Sequence, residues 1–218
     1  MMIPRGRTTD SIALVTFLCF LAAAVTGLVD QVAAFAGFIP AEAYIPADWG
    51  FGAGGLPVWL RPLSATLVHG GWLHIAFNMI MLVYCGRQIE HLIGTSRLLI
   101  LYVAGAYASA AAQWLAAPHS DSPMIGASGA ISAIIGTYAL IYSRRDVSPI
   151  GPFSAQAVRM LWLAAGWTVL QVMIGFTGIG FGGPPGSIAI WAHVGGFIAG
   201  LLMARPLLAS RFRKQRPH

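Results

Sequence analysis

Met124-Ile125-Gly126-Ala127-Ser128-Gly129-Ala130-Ile131-Ser132-Ala133-Ile134-Ile135-Gly136 sets one serine among glycines and alanines at the head of an apolar run. Small side chains let backbones approach closely, which is how helices associate in a bilayer. A serine in such a stretch has two readings. Either it is a small residue filling a helix–helix seam, or it is a nucleophile held in a tight pocket. The rest of the chain has to decide between them.

Composition identifies the solvent. Of the 218 residues, 57% are hydrophobic and 9% charged, where a soluble domain carries about 25% charged residues. Mean hydropathy is +0.72. These values predict an all-α polytopic membrane protein whose spans use most of its length. Cys19 and Cys85 both fall inside apolar runs and read as packing residues rather than a disulfide.

Six apolar runs are expected to span: 12–29, 72–88, 98–117, 128–142, 157–179 and 188–208. Ala34-Phe35-Ala36 resembles a signal cleavage site. The run before it is longer than a signal core and further spans follow, so a retained first helix is expected. The fourth run is short against the usual count of about 20 residues. It is expected to begin below the membrane surface, shielded by protein.

Residues 38–68 form a long first loop. Pro40, Pro46, Pro57, Pro62 and the Gly52-Ala53-Gly54-Gly55 cluster prevent a regular span there. The loop nevertheless keeps Leu56, Val58, Trp59 and Leu60, which suits an element sunk into the headgroups with Trp59 as its anchor. The expected layout is a cytoplasmic segment 1–11, a membrane domain 12–208 with a flexible loop at 180–187, and a basic tail 209–218.

Charge supports this topology. With the first segment inside, twelve of the 13 Lys and Arg fall on inner segments and Arg61 alone lies outside, as the positive-inside rule requires. The formal charge of +6 therefore reflects topology and attraction to the lipid bilayer, not a nucleic-acid partner. No inverted repeat of the transporter kind is visible.

Three polar groups lie within the spans on the outer side. His74 and Asn78 are four apart and share a helical face. His193 sits a few residues into the sixth run, and Ser128 opens the fourth from the same side. Taken singly, His193 could bond a carbonyl between helices and Asn78 could be interhelical glue. Their joint depth argues for chemistry, because intramembrane polar groups usually face an interior or a cavity.

His193, Gly196 and Gly200 fall at i, i+3 and i+7, while Ser128, Ser132 and Gly136 recur at intervals of four. If those stripes meet, His193 comes within reach of Ser128, a general base beside a weak nucleophile. His74, Asn78 and the Ser128 amide would then face a developing oxyanion. His69 and His74 are five apart, on different faces, and no HExxH occurs, so no metal site is expected. No Asp or Glu lies at the depth of His193, so serine chemistry would run as a dyad.

These residues resemble the rhomboid family of intramembrane serine proteases. The matching elements are Gly126-Ala127-Ser128-Gly129, His193-xx-Gly196-xxx-Gly200, and His69-xxxx-His74-xxx-Asn78. Trp59-Leu60-Arg61 resembles the family's Trp-Arg element with one extra residue, and Glu90 matches an acidic position at the inner end of span two. The resemblance implies Ser128 as nucleophile, His193 as general base, and His74, Asn78 and the Ser128 amide as oxyanion donors. It also implies that His69 lines the pocket or positions the first loop, that Gly126 lets the backbone pass close to substrate, and that span five with loop 180–187 gates access.

The substrates implied are transmembrane proteins, the location a plasma (inner) membrane with both termini cytoplasmic, and no cofactor is called for. The rival is a catalytically silent relative that binds membrane clients; such relatives usually lack the serine or the histidine, and both are present here. One departure stands out. Ser132 occupies a position, four after the serine, where active members commonly carry an aromatic ring against the histidine.

Overall fold

The computed structural model describes residues 4–44, 55–142, 147–177 and 189–213. Its helices are α1 (Arg7–Thr26), α2 (Val29–Ala36), α3 (Arg61–Ser64), α4 (Trp72–Ile93), α5 (Thr95–Ala116), α6 (Ser128–Tyr142), α7 (Ala155–Thr177) and α8 (Ile190–Arg213). Among the described residues there is no β-sheet, only isolated bridges such as Phe38 with Met124. The chain is an all-α integral membrane protein. α1, α5 and α8 are each long and apolar enough to cross a bilayer, and α4 adds a fourth span when joined to the α3 segment across a 103° bend. The expected loop 180–187 and tail residues 214–218 lie outside the described residues.

α1 begins with no side-chain cap of its own at Gly6. Glu90, near the C-terminal end of α4, supplies one from a distance. Its carboxylate accepts the Thr8 and Thr9 amides at 3.0 and 2.9 Å and the Thr9 hydroxyl at 2.7 Å. A carboxylate there satisfies orphan donors and complements the positive end of the helix dipole. Gly86 packs on Thr9, where an added Cβ would sit 2.9 Å from its methyl carbon. A π-helical turn over Leu82–Gly86 lies in α4 at this contact.

The first run ends sooner than expected. Gly27 adopts φ 71°, a left-handed conformation that suits glycine and terminates helices. The chain then turns into α2, so Asp30, just past the expected run 12–29, lies in the first turn of a second helix.

The first loop is stapled rather than merely sunk in lipid. Arg61 is 1% exposed and pairs with Glu42 at 2.6 Å. Its Nε donates to the Leu56 carbonyl at 2.8 Å. The Ser64 hydroxyl donates to the Ala36 carbonyl at 2.7 Å. Tyr107 on α5 donates to the Trp59 carbonyl at 2.8 Å, while the Trp59 side chain stays exposed, as an interfacial anchor requires.

The centre of the molecule is α6. At 15 residues it is about 22 Å long, short of the roughly 30 Å hydrocarbon core. It can be short because protein surrounds it. Ala130, Ile131, Ala133 and Ile134 are buried against Leu82, Ile89 and Ile93 of α4 and Leu98 and Leu101 of α5. Leu140 packs with Phe197 and Leu201 of α8 and Trp167 of α7. Cys85 lies in this core and Cys19 on the exposed side of α1, both as free thiols. Exposed apolar side chains such as Leu14, Leu18, Ile100 and Leu202 lie on the outer helix faces, where lipid is the solvent.

The α6–α8 seam uses small residues, shifted from the stripe expected. An added Cβ would meet the Gly129 carbonyl from Gly196, the Ala133 carbonyl from Gly200, and the Phe197 carbonyl from Gly136. Thr137 seals the seam by donating to the Gly200 carbonyl at 2.9 Å. The α6 stripe is therefore Gly129, Ala133 and Gly136, and Ser128 and Ser132 border it.

Candidate active site

The segment entering α6 is held extended before the serine arrives. Phe38 and Met124 exchange backbone hydrogen bonds of 3.0 and 2.8 Å, and the Gly126 amide donates to the Ala65 carbonyl at 2.9 Å. Gly126 has φ +108°, a region side chains rarely adopt. The conformation also makes room: an added Cβ would lie 2.6 Å from His74 Nε2. The Ala127 amide donates to His69 Nε2 at 3.3 Å. His69 is 1% exposed and pins the backbone one residue before Ser128.

Ser128 is the first residue of α6, and the Ala127 carbonyl accepts the Ile131 amide at 2.9 Å. The Ser128, Gly129 and Ala130 amides thus lie in the first turn, where helices leave donors unpaired. Gly129 faces α5, where an added Cβ would lie 2.6 Å from Ser109 Cβ.

The glycine seam brings α8 alongside, and His193 Nε2 lies 2.7 Å from Ser128 Oγ. Two residues 65 apart in sequence thus form a hydrogen bond between half-buried side chains. His74 lies against Gly126, with its Nδ1 facing the Gly70 amide at 3.5 Å and its ring 4.9 Å from that of His69. An amide facing Nδ1 favours the tautomer with the proton on Nε2, the nitrogen on the Gly126 side. Asn78 is buried and donates through Nδ2 to the His74 carbonyl at 2.9 Å, leaving a second amide hydrogen.

The structure therefore brings together Ser128, His193, His74, His69, Gly126, Gly129 and Gly196, with Asn78 one turn below His74. Gly200 acts lower in the seam. Two residues on α7 join the site that the sequence pattern does not single out. Gln171 Oε1 lies 2.8 Å from His193 Nδ1, and Trp167 Nε1 donates to the His193 carbonyl at 3.2 Å. A single glutamine in the apolar run 157–179 was the available signal.

Ser132 resolves the departure noted above. Its hydroxyl donates to the Ser128 carbonyl at 2.8 Å, inside its own helix. Of the aromatic residues near the histidine in sequence, Trp191 is exposed, while Phe197 stacks on Trp167 with centroids 4.8 Å apart and planes at 8°.

Comparison with known proteins fits this arrangement. The sequence model of the Rhomboid domain matches residues 57–210, which include every site residue named. The chain belongs to the rhomboid family. Among its relatives, Rhomboid protease GlpG of Pectobacterium atrosepticum is 32% identical over 204 residues, 91% of this chain and 62% of the relative. Rhomboid protease GlpG of Yersinia pestis is 36% identical over 150 residues, 68% of this chain and 48% of the relative. The aligned rhomboid core thus accounts for about half to three fifths of those longer proteins.

Proposed function

We propose that this rhomboid protein is an intramembrane serine endopeptidase that cleaves transmembrane segments of membrane proteins with a Ser128–His193 dyad. The observation that carries the reading is the 2.7 Å approach of His193 Nε2 to Ser128 Oγ, and the names of its relatives support it. Ser128 Oγ attacks the scissile carbonyl carbon as its proton passes to His193 Nε2. The oxyanion draws hydrogen bonds from the Ser128 amide, His74 and Asn78. His193 then protonates the leaving amine, and the C–N bond breaks to leave an acyl-serine. Water, deprotonated by the same nitrogen, releases the second product and restores Ser128.

Residues 12–208 form the membrane domain in this reading, with 1–11 and 209–218 on the cytoplasmic side of the plasma (inner) membrane. The bias of Arg and Lys toward inner segments supports that orientation. Span five and the loop 180–187 would admit substrate.

The test is cleavage of a transmembrane reporter by purified protein in liposomes, with fluorophosphonate labelling alongside. Wild type should cut and label, while Ser128→Ala and His193→Ala should do neither. Equal cutting by wild type and Ser128→Ala would overturn the reading. Wild type that neither labels nor cuts would favour a silent client-binding protein.

A further inference from the structure

The dyad histidine is held on its far side by α7. Trp167 and Gln171 are four apart on one face of that helix. Trp167 grips the backbone of His193, its indole N–H donating to the carbonyl oxygen at 3.2 Å. Gln171, 6% exposed, places Oε1 2.8 Å from His193 Nδ1. Stacking of Trp167 on Phe197, one turn further along α8, fixes the height of the pair.

A carboxamide oxygen only accepts. Bonded to Oε1, Nδ1 must carry the ring proton, and the lone pair is left on Nε2, facing Ser128 Oγ. That tautomer is the one a general base needs. The opposite tautomer would point an N–H at the serine and leave nothing to receive its proton. With Ser132 bonded within its own helix, no side chain at that position supports the ring.

We propose that Gln171 is a positioning residue that sets the tautomer and orientation of His193, a role that rests on the protease reading for its catalytic meaning. The uncharged amide does this without the buried carboxylate that a triad would use.

Two measurements test it. The first is nitrogen NMR of the full-length protein labelled with 15N-histidine, the His193 signals being assigned by their loss in His193→Ala. Wild type should show a protonated Nδ1 and a bare Nε2, and Gln171→Leu should shift the population toward protonated Nε2. The second is reporter kinetics. Gln171→Leu should lower kcat by about 10- to 100-fold, a fraction of what a positioned base supplies, with KM unchanged. Gln171→Glu keeps an acceptor at the same reach and should recover most of that loss.

An identical tautomer in wild type and Gln171→Leu would overturn the proposal, as would an unchanged kcat in an enzyme whose cleavage depends on Ser128. A kcat loss that Gln171→Glu fails to recover would also count against it. A tautomer governed by Gln171 in a chain that does not cleave would sink the protease reading and leave the orienting role standing.

Discussion

A Cβ on Gly200 would overlap the carbonyl oxygen of Ala133, so the approach of α8 to α6 is set by backbone against backbone. The same contact, two turns up, brings His193 to Ser128. Gly200→Ala must push the helices apart, and overpacking of this kind costs about 1–3 kcal/mol. Reporter cleavage should fall further than stability does, because the dyad distance widens with the seam. Gly166→Ala is the control, since nothing lies within 4 Å of a Cβ there. Thermal unfolding in detergent, run beside the cleavage assay, checks both expectations.

The Glu90 carboxylate ties α1 to α4 through two amides and a hydroxyl. Glu90→Ala removes a charge-assisted cap and should cost about 2–3 kcal/mol. Glu90→Gln keeps one acceptor oxygen and should cost about half as much. The dyad lies at the other end of the bundle, so labelling of Ser128 at low temperature should survive both changes. A lower unfolding temperature with normal labelling is the expected pattern.

Arg61 and Glu42 are coupled by burial. Removing either partner strands the other, and breaking a buried pair costs about 3–5 kcal/mol. Arg61→Met and Glu42→Gln should each lower the unfolding temperature and quicken proteolysis of the first loop. The double variant should cost less than the two single changes together, because no unpaired charge remains. A strictly additive double variant would show that the 2.6 Å contact carries no coupling.

Much of this was legible in the sequence, for physical reasons. α6 begins at Ser128 and ends at Tyr142 as its apolar run predicts. The hydrogen-bonded pair of His193 and Ser128 was legible because polar side chains are costly in a bilayer and stand out against their surroundings. Other features depend on contacts that no local pattern carries. The pairing of Arg61 with Glu42 and the Glu90 cap on α1 join residues far apart in sequence through tertiary packing. The seam stripe lies one position on at two of its three residues, because Ser128, Ser132 and Gly136 and the observed Gly129, Ala133 and Gly136 both repeat at helical spacing. Gln171 is a polar residue in an apolar run, but its bond to His193 depends on how α7 packs on α8, which no local pattern carries.

Ser132 gives the last prediction. The side chain is 2% exposed, and its hydroxyl is spent on a carbonyl one turn back. Such a bond contributes about 1 kcal/mol or less, and the carbonyl it leaves still has its helical partner. Ser132→Ala should therefore keep cleavage within about threefold of wild type, a change worth under about 1 kcal/mol. Ser132→Tyr introduces a ring beside a seam packed backbone to backbone and should overpack it by about 1–3 kcal/mol. If the histidine is already held by Gln171, that ring brings no gain in kcat to set against the loss. A tyrosine variant that is both as stable as wild type and faster would show that His193 lacks support on the α6 side. Parallel measurement of kcat and unfolding temperature for the two variants decides the matter.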